Sequence, residues 1–430
     1  MRVDVIGLRN TLRWTFDLQA NDGIYTEKIR MANHSFTNEL PKNASIETIH
    51  PDHLALIALL VAHPFVGQKL AIPWKVSERF AASCARITTY QVEFDEVGHP
   101  EYNASEGSRP ALAFSGGADS TASLLVMPEN TLSVFMDRPL KRKASMYNKS
   151  AALATVAFAK KSGYEVLSLE CDVEYVREPL GFATDLVPSI PILALAASYN
   201  IDAVAFGTVM ESAYRIGHEK ARDYANSSHF RFWGRMFQAA GLPLYLPVSG
   251  VSEVGTSKIV LNSPFYPYTR SCIRGEWPNA CENCWKCFRK NMLEAKLTKG
   301  LVEEDYLQRG LLIPEVKKKI QAYPVSHENV LAWAMKGSSG PVAELLNARL
   351  EGATRDLAYL EHHYPPALDL MPEKYRSLTK SKLEGYLEPM SEGDWSTVTN
   401  HLMSPWLGSE SAKAAKQAFD EFILRQGEAV

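Results

Sequence analysis

The sequence predicts an α/β protein whose parallel-sheet core follows an N-terminal α+β domain and precedes an all-helical C-terminal region. Three observations predict this fold class. Short apolar runs alternate with longer helical runs between residues 110 and 250, period-two patterns occur near the N-terminus, and strand signals stop near residue 298. We therefore expect three domains, covering residues 1–108, 109–298 and 299–430.

The composition predicts a globular protein of the cytoplasm. Hydrophobic residues make up 46% of the chain and charged residues 22%, and the net charge of -3 offers no general attraction for nucleic acids. The N-terminus lacks the separate basic and apolar regions of a signal peptide. The most apolar stretch, HLALIALLVAHPFVG, is shorter than the ~20 residues that a membrane span needs. We expect no membrane contact, and nucleic-acid contact only through local basic patches.

The N-terminal domain shows two strand patterns and one helix pattern. Apolar and polar residues alternate over residues 12–18 and again over 90–94, as in half-buried strands. The apolar stretch from His53 predicts a buried helix with Asp52 as its N-cap. Residues 98–110 are rich in Gly, Pro, Asn and Ser and read as a linker, which places the domain boundary near Ser108.

The central domain is predicted from strict strand and helix alternation. Helices are expected from Ser120, around 145–162 and around 189–199. The expected strands are ALAF, LSVFM, YEVLSLE, DAVAFG and LPLYLPV. Alternation of this kind implies right-handed crossovers and a mostly parallel sheet. In the C-terminal region, apolar residues between Ala415 and Phe422 have helical spacing, and Ser391 with Asp394 resembles a capping box.

The stretch SGGADS, residues 115–120, lies between the first predicted strand of the core and its helix. Two adjacent glycines let a backbone approach a ligand closely, and successive amides at a helix N-terminus form a cradle for phosphate. Asp119 would repel a bare anion, so a bridging Mg²⁺ is expected. The Gly-Lys-Ser/Thr ending of a Walker P-loop is missing. The alternative is an ordinary strand-to-helix turn.

Four cysteines form a compact pattern with the spacing C-x8-C-x2-C-x2-C. Four thiolates at this spacing match a closed, tetrahedral zinc site of the structural kind. An iron–sulfur cluster and disulfides remain as alternatives. The remaining cysteines, Cys84 and Cys171, are isolated and are expected to be buried apolar residues. The proposed zinc ligands are Cys272, Cys281, Cys284 and Cys287.

SGGADS resembles the SGGxDS pyrophosphate loop of enzymes that split ATP between its α and β phosphates, the PP-loop ATP pyrophosphatases. The cysteine knuckle after the last core strand is similar to that of the 7-cyano-7-deazaguanine synthase family within this superfamily. VPSIPILALAASYNIDAVAFGT and TSKIV resemble further segments of that family, and the similarity covers residues 110–298. The resemblance implies a Rossmann-like, adenine nucleotide alpha hydrolase-like core.

The resemblance also implies site residues and ligands. Ser115, Asp119 and Lys258 would be catalytic, with Lys258 neutralising phosphate charge. A solvated lysine is the alternative for Lys258. ATP, Mg²⁺ and Zn²⁺ would be bound. The residues expected to hold the nucleotide are Ser115, Gly116, Gly117, Asp119, Ser120, Thr121 and Asp137.

The chain departs from the family pattern in the segments that shape the base and acceptor pocket. DRPLKRK keeps Asp137 but lacks the rest of the family motif there, and VPSIPI lacks the Arg-Asn pair after Val-Pro. A basic and aromatic segment replaces another family motif. It is interpreted as a lid over the nucleotide, as a contact surface for an anionic partner, or as an amphipathic helical insertion with a solvated basic face. Its residues are Arg215, His218, Lys220, Arg222, Arg231 and Arg235 with Tyr214, Tyr224, Phe230, Phe232 and Trp233, and Arg138, Lys141, Arg142 and Lys143 form a second basic group.

The expected function is an ATP-dependent ligase that adenylates a carboxylate of a 7-deazaguanine or similar small molecule. Pyrophosphate is released, and the acyl group passes to an amine, either ammonia or a larger acceptor. Relatives in bacterial anti-phage gene clusters are diverged in the same way, so a role in defence is one expectation. Two alternatives stay open: a tRNA-modifying enzyme with the same loop, and a nucleotide-binding scaffold without turnover that holds a protein partner through its outer domains.

Overall fold

The computed structural model of the protein describes residues 1–42, 44–140, 148–351 and 355–428. Lys141, Arg142 and Lys143 of the second basic group lie outside the described residues. Within the described ranges, no helix combines the length and the apolar character that crossing a membrane requires.

The N-terminal segment folds around a five-stranded sheet in which strands follow the order β5-β2-β1-β6-β7. The predicted alternation over residues 12–18 is confirmed, because Leu12, Trp14 and Phe16 are buried and the Trp14 ring stacks on Phe36 with ring centroids 5.7 Å apart. In chain order the elements are β1 Arg2–Leu8, β2 Thr11–Asp17, β3 Ile24–Thr26, β4 Ile29–Met31, β5 Ser35–Glu39, α1 Pro51–Ala62, β6 Lys69–Val76, α2 Glu78–Cys84 and β7 Gln91–Val97.

The predicted N-cap of α1 is wrong. His50 caps the helix, since its ring Nδ1 accepts from the backbone N–H of Asp52 at 3.2 Å. Pro51 occupies the first helical position, which its fixed φ suits, and this moves the cap upstream of Asp52. The Asp52 carboxylate is buried and accepts instead from the backbone N–H and the hydroxyl of Ser77, at 2.8 and 2.6 Å.

The central segment contains a second five-stranded sheet, which is parallel throughout and has the order β10-β9-β8-β12-β13. The predicted alternation is confirmed, although the last predicted strand is reduced to two residues and the helix expected at 145–162 is described only from Ser150. The elements are β8 Arg109–Ala113, α3 Ala118–Val126, β9 Leu132–Asp137, α4 Ser150–Lys161, β10 Val166–Glu170, β11 Arg177–Glu178, α5 Ile190–Leu195, β12 Ile201–Ala205, α6 Met210–Ala213, α7 Ser228–Ala239, β13 Leu244–Tyr245, α8 Glu253–Leu261 and α9 Trp285–Lys299.

The order of this sheet places a point of reversal beside its middle strand, β8. The chain passes from β8 to β9 on one side of β8, whereas β12 lies on its other side, so the winding direction reverses between β8 and β12. In parallel sheets ligands bind outside the carboxyl ends of the strands at such a reversal. The segment 114–117, which follows β8, lies at this point.

The C-terminal region is helical, as predicted, and the Ser391–Asp394 capping box is present. Its elements are α10 Glu304–Gly310, α11 Pro314–Gln321, α12 Glu328–Met335, α13 Pro341–Leu350, α14 Glu373–Glu384, α15 Glu392–Asn400, α16 Ser404–Leu407 and α17 Glu410–Glu428, with short 3₁₀ helices at Ala358–Glu361 and Pro365–Leu370. All eight residues of α12 are buried.

One apolar core runs through all three segments. It includes Trp14 of the N-terminal sheet, Val134 of β9, Met292 of α9 and Leu331 of α12. The C-terminal helices also contact the central sheet directly, because the Tyr375 hydroxyl of α14 donates to Asp202 Oδ1 of β12 at 2.5 Å. The three segments of the chain therefore pack against each other and share a core.

Candidate functional site

The loop between β8 and α3 is held in a conformation that requires glycine. Gly116 has a φ of +71°, and a Cβ there would lie 2.9 Å from the backbone oxygen of Ala152 in α4. On the other side, a Cβ on Gly207, just after β12, would lie 2.7 Å from the backbone nitrogen of Ser120. The loop is thus enclosed by α4 and by the segment after β12. Each of these close contacts is possible because the residue there, Gly116 or Gly207, has no side chain.

Serine hydroxyls fix the shape of the loop from inside. Ser120 Oγ accepts from the Ser115 N–H at 3.2 Å, lies 2.9 Å from Ser115 Oγ and donates to the Gly117 carbonyl at 3.1 Å. The N–H groups of the first turn of α3 have no intrahelical partners, and they lie at the positive end of the helix dipole. Ser115 is exposed and Gly117 partly exposed, so this end of the loop is open to solvent.

Thr121, predicted to bind the nucleotide, is fully buried in α3. Its N–H donates to the Gly117 carbonyl at 2.9 Å, which places it in the structural support of the loop. Asp137 lies at the carboxyl end of β9, where its Oδ1 is 2.5 Å from Lys149 Nζ. Only Ser115, Gly116, Gly117, Asp119 and Ser120 of the predicted nucleotide residues are brought together in the loop.

Two cavities flank the loop. The first, here called the strand-end cavity, has a volume of about 460 Å³ and lies at the carboxyl ends of β8 and β9. It is lined by Ala113, Phe114, Ser115, Val134, Phe135, Met136, Arg138, Phe182 and Pro188. The second, here called the helix cavity, has a volume of about 680 Å³ and lies between Ala118, α8, α9 and the cysteine segment.

Asp119 is the charged residue of the loop, and its side chain is 35% exposed. Its Oδ1 accepts from the Thr256 hydroxyl at 2.8 Å and lies 3.9 Å from Lys290 Nζ. Neither contact was predicted from the sequence. Thr256 belongs to the TSKIV segment, in which the family resemblance assigns a role to Lys258, two residues later.

Lys258 itself contacts a different partner. Its Nζ donates to Glu361 Oε2 at 3.1 Å, and Glu361 Oε1 also accepts from the Trp333 indole N–H at 3.3 Å. Residues two positions apart on a helix point in different directions, so Thr256 and Lys258 cannot both face Asp119. The predicted role of Lys258 in neutralising phosphate charge has no support in these contacts.

A buried charged cluster lies behind Asp119. Glu253 at the start of α8 forms ion pairs with Arg289 and with Lys290 at 2.9 Å, and its other carboxylate oxygen lies 3.2 Å from His327 Nδ1. Burial acts to raise the pKa of Glu253, but Lys290, His327 and Arg289 outweigh it and hold that pKa well below its usual value.

Glu211 of α6 also belongs to the cluster, and its pKa is shifted in the direction opposite to that of Glu253. Burial, and then the neighbouring Glu253, raise the pKa of Glu211 to about 8. Its two carboxyl oxygens accept from the Glu253 N–H at 3.0 Å and from Asn329 Nδ2 at 3.1 Å. Glu211 therefore links α6 and α8 near the loop to α12 of the C-terminal region.

Three of the four predicted metal ligands come together in the structure, and the fourth, Cys284, lies beside one of them. The sulfur atoms of Cys272, Cys281 and Cys287 all lie within 4.8 Å of one another, and the cluster could hold a metal ion. Cys284 Sγ lies 3.5 Å from Cys281 Sγ. Zn–S bonds of 2.3 Å in a tetrahedron imply S–S separations of about 3.8 Å, close to these values. All six cysteines are free thiols, which excludes the disulfide alternative in this structure.

Backbone N–H groups surround the sulfurs. Cys272 Sγ accepts from Gly275 and Cys281 at 3.1 and 3.2 Å, and Cys284 Sγ accepts from the Cys287 N–H at 3.4 Å and caps α9. Burial acts to raise the pKa of Cys272, but the N–H donors outweigh it and lower the pKa to about 7. Such N–H···S bonds favour thiolate and orient metal ligands. Cys84 and Cys171 are buried, as predicted.

The basic and aromatic segment after β12 is tied to the C-terminal region. The Ala221 N–H donates to the His401 carbonyl at 2.8 Å, and the Met403 N–H donates to the Glu219 carbonyl at 2.8 Å. The Arg222 guanidinium donates to the carbonyls of Ala213 and Ser212. The side chains of Tyr214, Tyr224 and Trp233 are buried. The described contacts thus resemble a packed insertion more than a free lid.

These features define an α/β protein with a parallel sheet, a glycine loop at its point of reversal, and a cysteine cluster. Residues 232–401 match a family model described as "Family of unknown function (DUF6395)". The match includes Glu253, Thr256, Lys290 and the four clustered cysteines, and it begins after the loop at 115–120. No curated protein and no solved structure matches the chain.

Proposed function

We propose that the protein is an ATP-dependent ligase with a PP-loop core, which activates a carboxylate as an adenylate and transfers it to an amine. One observation carries the proposal. The SGGADS loop follows β8 where the parallel sheet reverses, with Gly116 at positive φ and the exposed Ser115 close in sequence to the N-terminus of α3. Anions bind at helix N-termini of this kind.

On this proposal the nucleotide lies along the strand-end cavity and the loop. The strand-end cavity is mostly apolar, with Phe114, Phe135 and Phe182 in its lining, and suits a purine ring. The phosphates would then extend along Ser115 and Gly117 to the first turn of α3. A Mg²⁺ ion held by Asp119 would reduce the repulsion between its carboxylate and the phosphates. A zinc ion held by the four clustered cysteines would anchor the start of α9.

The chemistry needs two displacements. A carboxylate oxygen attacks the α-phosphorus of ATP, the bond to the bridging oxygen breaks, and pyrophosphate leaves with its negative charge. An amine then attacks the acyl carbon, AMP leaves, and the amine loses one proton. The amide donors of the loop and the nearby cations stabilise the charge that develops on the departing diphosphate.

The proposed substrate class rests on the resemblance to the 7-cyano-7-deazaguanine synthase family and not on the shape of the cavities. A 7-deazaguanine-type carboxylate is the first candidate, with ammonia or a larger amine as the acceptor. The segments that shape this pocket in the family differ here, so related planar heterocyclic acids belong in the same test. A role in the bacterial cytoplasm, including anti-phage defence, belongs to the same proposal.

The test is pyrophosphate release. Purified protein is incubated with MgATP and a panel of carboxylates that includes 7-carboxy-7-deazaguanine, and pyrophosphate and AMP are quantified with and without ammonium. We expect release that depends on the acid, and a drop of about 10²-fold or more in D119N. D369N is the matched control, because Asp369 is an exposed carboxylate that pairs with Arg376 at 3.4 Å. Absence of pyrophosphate with every acid, or equal rates in D119N, would contradict the proposal.

A further inference from the structure

Three cations line the helix cavity. Among the described residues of the lining, Arg270, Lys286 and Lys290 are the cations, Glu294 is the carboxylate, and Cys272 and Cys287 belong to the cysteine cluster. Glu294 already accepts a hydrogen bond from the Tyr266 hydroxyl. Partly enclosed cations in excess over carboxylates favour an anionic ligand, because their mutual repulsion is then relieved. Ala118, the first residue of α3, also lines this cavity, so it opens beside the loop.

Lys290 is the cation of this cavity that lies next to Asp119. Its side chain is 13% exposed, and its Nζ is 2.9 Å from Glu253 Oε2 and 3.9 Å from Asp119 Oδ1. Burial acts to lower the pKa of Lys290, but Glu253 and Asp119 outweigh it and raise that pKa, so the ammonium group stays charged.

Glu253 has a second cation beside Lys290 to compensate its charge. The same carboxylate forms an ion pair with the Arg289 guanidinium, and its other oxygen lies 3.2 Å from His327 Nδ1. Glu253 therefore acts as an anchor that directs Lys290 toward the loop while Arg289 balances its charge. An ammonium group has three donors, which leaves donors for a ligand oxygen beside Asp119.

The elements that carry Lys290 fix its direction. Lys286 and Lys290 are four residues apart on α9 and share one face of this helix, which lines the cavity. The helix begins at the cysteine cluster, because Cys284 is its N-cap. Lys258 of α8, by contrast, pairs with Glu361, and no described contact joins it to Asp119.

We propose that Lys290 is the cation that binds the diphosphate group of magnesium-bound ATP beside Asp119, in the role that the family resemblance gives to Lys258. The inference rests on the proposed function, since it names a catalytic residue for the same reaction. Lys290 would stabilise the charge on the departing diphosphate, and Glu253 would be the positioning residue that holds it there.

The experiment measures equilibrium binding of inorganic pyrophosphate with Mg²⁺ by calorimetry, in the full chain with its metal. K290M is compared with K258M, the competing lysine, and with K374M as a matched control. Lys374 forms an ion pair with Asp202 at 2.5 Å on α14 and does not line the helix cavity. We expect K290M to weaken pyrophosphate binding tenfold or more, as loss of a charged hydrogen bond does, and the other two variants to stay within about twofold.

A second variant distinguishes a loss of ligand contacts from a folding defect. K290R keeps a positive charge beside Glu253, and thermal unfolding reports whether each variant is folded. Arginine presents its donors in a rigid fork, so we expect a folded K290R that binds pyrophosphate about threefold to tenfold more weakly than the unchanged protein. Under turnover, K290M should lower kcat more than it raises the KM of the carboxylate.

The outcomes separate the two proposals. If the unchanged protein binds pyrophosphate while both K290M and K290R bind it equally well, Lys290 has no such role and the proposed function stands. The inference is equally wrong if K258M loses as much affinity as K290M. If the unchanged protein binds neither pyrophosphate nor MgATP, the proposed function and the role of Lys290 fail together.

Discussion

Gly116 shows how closely the candidate site depends on single residues. Its φ of +71° is unfavourable for residues with a Cβ, and the atom that a Cβ would meet is the backbone oxygen of Ala152 at 2.9 Å. A backbone atom of a helix cannot move aside as a flexible side chain can. The identity of this residue is therefore fixed by the local geometry before any ligand is considered.

We expect G116A to destabilise the protein by ~2–4 kcal/mol, because the left-handed backbone penalty adds to an overpacked contact with α4. G163A is the matched control, since Gly163 has a φ of +91° but a methyl group at that position would meet nothing within 4 Å. That variant should lose only ~1–2 kcal/mol. Urea unfolding followed by circular dichroism measures both, and equal losses would mean that the contact with Ala152 is not tight.

The raised pKa of Glu211 predicts that the free energy of unfolding falls as the pH rises, which is unusual for a carboxyl group. Its pKa in the folded protein is about 8, above the unfolded value of 4.5, so the folded state binds the extra proton between these two pH values. Stability from this group is complete below pH 4.5 and is lost as the pH rises through about 8.

The variant E211Q removes this titration. We expect its free energy of unfolding to be close to that of the unchanged protein near pH 5 and to exceed it at pH 9 by an amount on the order of 1–3 kcal/mol. E253Q is the contrasting variant, because the pKa of Glu253 is depressed and loss of its charge leaves Arg289 and Lys290 without their carboxylate. A parallel pH profile for E211Q and the unchanged protein would contradict the raised pKa.

At the scale of elements, α9 connects the cysteine cluster to the loop. The helix begins at Cys284, packs its lysines toward the helix cavity and places Met292 and Leu293 in the main core. Metal binding at the cluster would therefore order the end of the helix from which Lys286 and Lys290 project. This arrangement gives a structural metal an indirect part in ligand binding.

We expect about one zinc ion per chain in the purified protein, measured by mass spectrometry of the metal. C281A should lose most of this zinc and unfold at lower temperature, because a three-thiolate site binds the metal more weakly and the start of α9 loosens. C84A is the control, as Cys84 is buried in the N-terminal segment outside the cluster. Full zinc content in C281A would show that the cluster is not the metal site.

At the scale of the whole molecule, the shared core sets the folding unit. Every residue of α12 is buried. Its apolar residues belong to the same core as residues of the N-terminal sheet and of α9. Two contacts of Tyr245 in β13 add to this connection. Its hydroxyl forms a hydrogen bond with the Thr379 hydroxyl of α14, and its ring stacks on Tyr375 with ring centroids 5.1 Å apart.

Truncation after residue 298 should therefore prevent native folding of the remainder. The fragment 1–298 would expose the apolar surface that α12 covers, and we expect it to aggregate or to lack near-ultraviolet circular dichroism. The full chain expressed under the same conditions is the control. Cooperative thermal unfolding of the fragment would instead favour the boundary at 298 as a true domain limit.

The sequence alone determined the features that depend on local chemistry. Alternating apolar residues predicted two strands of the N-terminal sheet, and short apolar runs between helical runs predicted the strands of the central sheet. Glycines and serines predicted the loop after β8, and cysteine spacing predicted the cluster. These signals are readable because periodicity, backbone freedom and thiol chemistry belong to neighbouring residues.

The tertiary structure decided which distant residues meet at the loop. Thr256 and Lys290 contact Asp119, although they lie 137 and 171 positions further along the chain. Lys258 instead pairs with Glu361. The packing of α8 against α3 and of α9 against α8 sets these directions. The sequence near each lysine carries no sign of which face of its helix will be covered. Charge pairing across such packed helices is a property of the assembled fold, because Coulomb energy depends on distance in space.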